Sequence, residues 1–116
     1  ENGATIVNIS SGLAIYPKTS SAIYSATKAA IHSFSQSLRY QLDGTSVRVC
    51  EVLFPLVDTE MASGRGKKKI SVDVAASEVI DAISHEINEK YVGITKVLPF
   101  ISRISPFLTK QILKNS

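Results

Sequence analysis

Apolar residues fall into two compact runs separated by a longer, more widely spaced pattern. Residues 4–9, ATIVNI, are short, mostly apolar and β-rich, which predicts a strand buried on both faces. Residues 47–54, VRVCEVLF, predict a second strand despite Arg48 and Glu51. From about Ala22 to Leu42, Ile23, Ile31, Phe34, Leu38 and Leu42 recur at helical spacing, with small Ala26 and Ala30 between them. His32, Gln36 and Arg39 fall on the other side of that helix. Asp43-Gly44 ends it, because glycine accepts the left-handed backbone that follows a helix C-terminus. Strand, helix and strand make a βαβ unit, whose connection is expected to be right-handed and its strands parallel.

Residues 10–21 read as a polar, turn-rich connection, and 55–71 as an irregular stretch holding Gly64 and Gly66. Ser71 is placed to cap a further helix to about Lys90, with Val74, Val79, Ile83 and Ile87 as its apolar stripe. Tyr91 to Thr95 reads as a short edge strand, followed by two short helical pieces broken at Pro99 and Pro106. The class is α/β, and 116 residues fit one domain at most.

Composition narrows the picture. With 44% apolar and 20% charged residues, the chain is neither disordered nor fibrous. No stretch reaches the ~20 apolar residues of a membrane-spanning helix. The single Cys50 excludes an internal disulfide and a thiolate-rich metal site; it reads as a buried, inert thiol suited to a reducing cytoplasm. His32 and His85 lack partners at ligand spacing and read as surface helix residues, so no metal is expected. The net charge of +3 is uneven: Arg65, Lys67, Lys68 and Lys69 cluster, and residues 90–116 hold five basic groups and no acid. Such a pattern can attract phosphate or anionic lipid, but a solvated loop and a basic tail is the plainer reading. Pro99 and Pro106 interrupt any continuous amphipathic helix, which argues against a membrane partner, and no nucleic-acid partner is expected.

The candidate chemistry lies in IVNISSGLAIYPKTSSAIYSATK. Tyr24 and Lys28, four apart, share one helix face. In an open parallel sheet, ligands bind beyond the carboxyl ends of the strands. Ser11 follows the first strand, and the crossover helix begins at that same edge, so topology delivers all three side chains to one crevice. A cation beside a phenol favours the phenolate, which suits Tyr24 to act as general acid in carbonyl reduction and general base in alcohol oxidation. Ser11 can hydrogen-bond the substrate oxygen, and Lys28 has donors to spare for a cofactor hydroxyl. Side chains cannot supply the remaining ingredient, a hydride carrier.

This constellation resembles the short-chain dehydrogenase/reductase family, most closely its DltE-like branch, through IVNISSG, YSATKAAIHSFSQSLRYQL and VRVCEVLFPLVDTEM. The resemblance implies half of a Rossmann-type doubly wound parallel sheet, NAD or NADP as cofactor, and a small carbonyl or alcohol substrate. It carries the family's Ser–Tyr–Lys set onto Ser11, Tyr24 and Lys28. The family segment P-G-x-[VI]-x-T, which touches the nicotinamide and its phosphates, falls without a gap on Phe54, Pro55, Val57 and Thr59, with Phe54 and Pro55 departing from the pattern. Leu13, Tyr16 and the 55–71 loop are expected to shape the substrate pocket. The glycine-rich first βα turn and the N-N-A-G segment have no counterpart here. The whole chain, 1–116, therefore reads as the C-terminal part of a single dinucleotide-binding domain whose N-terminal half is absent. Family members commonly pair as dimers or tetramers through the long helix, a candidate subunit contact here, although its polar face offers no clear apolar patch. The alternative is a non-catalytic half-domain or scaffold that associates through its exposed strand and long helix.

Overall fold

The computed structural model describes residues 3–57, 59–64 and 69–115. Most of the basic cluster expected at 65–69 therefore lies outside the described residues. The chain forms β1 (Ala4–Ser11), α1 (Ala22–Gln41), β2 (Val47–Phe54), α2 (Val72–Ser84), β3 (Glu89–Tyr91), α3 (Leu98–Ile104) and α4 (Pro106–Lys114). The three strands make one parallel sheet in the order β1-β2-β3, with Ala4 opposite Val47 and Ser11 opposite Phe54. The α/β class and the parallel βαβ unit are as expected. Gly44 takes φ +77° just past α1, the left-handed turn that its sequence context requires.

Side chains alternate along β2 and so serve two layers. Cys50, Val52 and Phe54 join Ala82 and Val92 in the core beneath α2, with Val7, Val79 and Ile87 packed against them. Burial pushes the Cys50 thiol up, as fits an inert core residue. Glu51, in alternation with them, faces α1 and meets His32. No described helix is long and apolar enough to cross a membrane.

Several expectations need correction. The polar side of α1, not its apolar stripe, faces the sheet: Ser25 and Ser35 are buried, Asn8 Nδ2 donates to Ser35 Oγ (2.9 Å), and Arg39 reaches the Val49 and Asn88 carbonyls. His32 is half-buried rather than a plain surface residue, and its Nδ1 lies 2.7 Å from Glu51 Oε2. Ile31, Leu38 and Leu42 flank the contact half-buried, whereas Ile23 (83% exposed) and Phe34 (59%) turn outward. The buried face is thus rotated by roughly a quarter turn from the hydrophobic stripe, because the strands beneath present Asn8 and Glu51. The outward face of α1 consequently carries apolar surface, from Ile23 and Phe34. β1 is likewise not buried on both faces, as Ile6 and Ile9 are substantially exposed. It pairs only with β2 among the described strands.

α2 starts where expected, with Ser71 Oγ accepting from Val74 N (3.2 Å), but stops at Ser84 rather than near Lys90. Glu86 adopts φ +56°, and Ile87 N donates to Ala82 O while Glu86 N donates to Ile83 O. That is a Schellman ending with glutamate in the position glycine usually takes. Val74 and Ile83, expected on the apolar stripe, are exposed; Ala75, Val79 and Ala82 make the contact. β3 falls at Glu89–Tyr91 instead of Tyr91–Thr95, and Gly93–Val97 forms a 3-10 turn. Two short helices finish the chain as expected, with the break between them just before Pro106. Pro99, however, lies inside the first turn of α3, and both prolines occupy first-turn positions where the missing N–H is harmless.

Candidate active site

The carboxyl ends of β1 and β2 open onto a cleft of about 990 Å³. Ser11, Leu13, Tyr16, Tyr24, Lys28, Pro55, Val57 and Thr59 all line it. Tertiary structure therefore brings together every residue singled out for catalysis, cofactor or substrate.

Each is placed by local structure. Ser11 ends β1, and its Oγ accepts from Leu13 N (3.1 Å), capping the 3-10 turn Gly12–Ala14. That bond uses an acceptor site of Ser11, so its hydroxyl hydrogen stays available to a ligand oxygen. Tyr24 sits in the first turn of α1, 45% exposed, and its hydroxyl bonds no described residue. Lys28, one turn on, donates to the Ile9 carbonyl (3.3 Å) at the end of β1. Its ammonium stands 5.5 Å from the Tyr24 ring centroid, within cation–π range. The helix thus carries phenol and ammonium as one unit, anchored to the strand that ends in Ser11.

The far wall comes from beyond β2. Ile70 N donates to Leu56 O (3.0 Å), and Val57 bridges Ile70, holding the segment that carries Pro55, Val57 and Thr59 against the cleft. Thr95 Oγ1 donates within reach of both Leu53 O (3.1 Å) and Val92 O (2.6 Å), fastening the turn after β3 to the end of β2. Gly12 packs directly on this turn. A Cβ there would lie 2.8 Å from Thr95 Cγ2 and 2.9 Å from Leu98 Cδ1. Gly12→Val is accordingly expected to cost about 1–3 kcal/mol through overpacking. A urea midpoint equal to that of the parent chain would show that the turn yields freely.

Sequence reasoning missed part of the lining. Ser10 is buried, lines the cleft, and its Oγ finds no hydrogen-bond partner among the described residues. The sequence pattern places it in a turn, whereas pairing of Ser10 with Leu53 extends β1 through it. Ile94, Leu98, Ile101 and Ile112 add an apolar wall from the tail. Thr19 Oγ1 donates to Lys114 O (2.7 Å), joining the loop before α1 to the end of α4. Contacts across such sequence separations leave no local spacing to find.

The chain resembles known proteins in sequence and in fold. Over 76 residues the chain is 46% identical to "Uncharacterized oxidoreductase DltE" of Bacillus subtilis (strain 168), a match covering 65% of this chain and 30% of that protein. A short chain dehydrogenase from Burkholderia cenocepacia J2315, solved in complex with NADP, superposes with a TM-score of 0.89 at 30% identity, covering 96% of this chain and 47% of that one. A short-chain dehydrogenase from Sphingobium yanoikuyae, solved with NADPH, shares the fold at 20% identity and a TM-score of 0.72, over 90% of this chain and 44% of its own. The chain thus spans less than half the length of each. The family model described as short chain dehydrogenase matches residues 1–70, well over half of these 116 residues, and on that match the chain belongs to the short chain dehydrogenase family.

Proposed function

We propose that these residues form the catalytic portion of an NAD(P)-dependent oxidoreductase that interconverts a carbonyl and an alcohol, with Tyr24 as the acid/base. The observation that carries this reading is the shared cleft, in which a phenol whose hydroxyl bonds no described residue lies beneath an ammonium, beside a strand-end serine. In the reducing direction Tyr24 gives its hydroxyl proton to the carbonyl oxygen, and in the oxidising direction it takes a proton from the alcohol. Ser11 donates a hydrogen bond to that oxygen and stabilises the charge that develops there. Lys28 holds positive charge over the ring and keeps N–H groups for a sugar hydroxyl of the cofactor.

The residues present fit the nicotinamide end of such a cofactor: Lys28 has donors to spare, and Val57 and Thr59 line the same cleft. When bound, the dinucleotide supplies the hydride that no side chain can. The fit does not extend to the pyrophosphate, since no glycine-rich turn leads into α1 or α2. These 116 residues therefore act as the C-terminal half of a dinucleotide-binding domain. Leu13 and Tyr16, with the apolar wall opposite, favour a substrate that presents carbon surface around its carbonyl.

The test compares two chains. A chain that also carries the upstream half is expected to consume reduced nicotinamide in a carbonyl-dependent manner across a panel of aldehydes and ketones. The 116-residue chain alone is expected to bind NAD(P)H more weakly than about micromolar and not to turn over. Micromolar calorimetric binding by the short chain would defeat the division of labour. Failure of the longer chain with every carbonyl and alcohol tried would defeat the oxidoreductase reading.

A further inference from the structure

We propose that His32, Glu51 and Glu89 form a binding site for a divalent transition-metal ion, zinc foremost, between α1 and the β2–β3 edge and outside the cleft. Glu51 and Glu89 are register partners on neighbouring strands, and His32 descends on them from α1. One ligand atom from each of the three lies within 4.8 Å of the others. Zinc accepts this mixed imidazole–carboxylate set at bond lengths of about 2.0–2.2 Å. Hard ions such as magnesium prefer oxygen alone.

What points to an ion is the state of Glu51. Its side chain is 0% exposed, and Oε2 meets His32 Nδ1 at 2.7 Å. Its Oε1 is buried with no hydrogen-bond partner among the described residues. A carboxylate oxygen withdrawn from water without a partner is costly. Local charge is also out of balance. Arg39 is the cation paired with Glu89, at 3.6 Å, and its hydrogen bonds go instead to the Val49 and Asn88 carbonyls. Arg39 thus serves Glu89 while Glu51 meets His32, and a divalent ion between the two carboxylates would both satisfy Glu51 Oε1 and add positive charge there. Glu89 can close on it, being a third exposed and, apart from Arg39, met among the described residues only by the Tyr91 hydroxyl at 3.5 Å. Three protein ligands leave one tetrahedral position for water.

The test is a calorimetric titration of the chelator-treated 116-residue chain with zinc chloride, repeated with cobalt(II) to read its visible ligand-field bands. The expected result is one equivalent bound on the order of micromolar or tighter, with the intense bands of four-coordinate cobalt. Glu89→Ala and His32→Ala should each weaken binding by at least about tenfold, whereas His85→Ala, which removes the exposed His85–Asp81 pair, should leave it unchanged. Circular dichroism of the Glu89→Ala variant checks that the fold persists, and Glu51→Gln gives a near-isosteric second deletion of a ligand. Absence of binding at roughly 0.1 mM zinc would overturn the proposal. So would binding that survives both Glu89→Ala and His32→Ala, or that disappears in His85→Ala.

Discussion

Replacing Tyr24 by phenylalanine, in a chain that includes the upstream half of the domain, is expected to lower kcat by roughly 10²–10⁴-fold while leaving the fold and nucleotide affinity nearly intact. The substitution keeps the ring and removes only the hydroxyl. Because that hydroxyl bonds no described residue and the side chain is 45% exposed, no packing or internal hydrogen bond is lost. The Lys28 ammonium, 5.5 Å from the ring centroid, retains its aromatic neighbour. Steady-state rates, a nucleotide titration and a thermal melt together check the prediction. A variant that stays within a few-fold of the parent rate would remove Tyr24 from the proton-transfer role and leave the cleft as a binding site only.

The largest expected effect on stability comes from Leu53→Ala, at about 2–5 kcal/mol. Leu53 is 0% exposed and is the bulkiest fully buried side chain among the described residues. Its backbone is held on both sides, by register pairing with Ser10 of β1 and Tyr91 of β3, and its carbonyl accepts from Val92 N and Thr95 Oγ1. A strand so tethered cannot move in to fill the cavity, which favours the upper part of that range. Against a typical stability of about 5–15 kcal/mol, the loss would be plain in a urea midpoint. A change under about 1 kcal/mol would mean that neighbouring side chains repack around the gap.

Both substitutions act near the strand ends, and the two effects were unequally legible. The position of Ser11, Tyr24 and Lys28 in a common cleft followed from residue spacing and parallel topology. The layer that Leu53 occupies did not, since a run such as VCEVLF, apolar at every position but Glu51, shows no alternation that would assign its two faces. The same ambiguity misplaced α1. Apolar periodicity centred its buried face near Phe34 and Leu38, yet the helix buries Ser25 and Ser35 and turns the half-buried His32 to the sheet, because Asn8 and Glu51 project from the strands beneath. Hydrophobic pattern predicts burial only where the partner surface is apolar.

Local order determined what the sequence could state by itself: two strands, the long helix between them, its Asp43-Gly44 ending, the Ser71 cap, and three chemically matched side chains at one sheet edge. Each rests on spacings of a few residues, where backbone geometry dictates neighbours. Tertiary structure alone decided the His32–Glu51 pairing, the end of α2 at Ser84 with its left-handed turn at Glu86, the buried Ser10 hydroxyl and the apolar wall contributed by the tail helices. Those features depend on which distant segments come into contact, and the free energy that selects them belongs to the pair rather than to either segment.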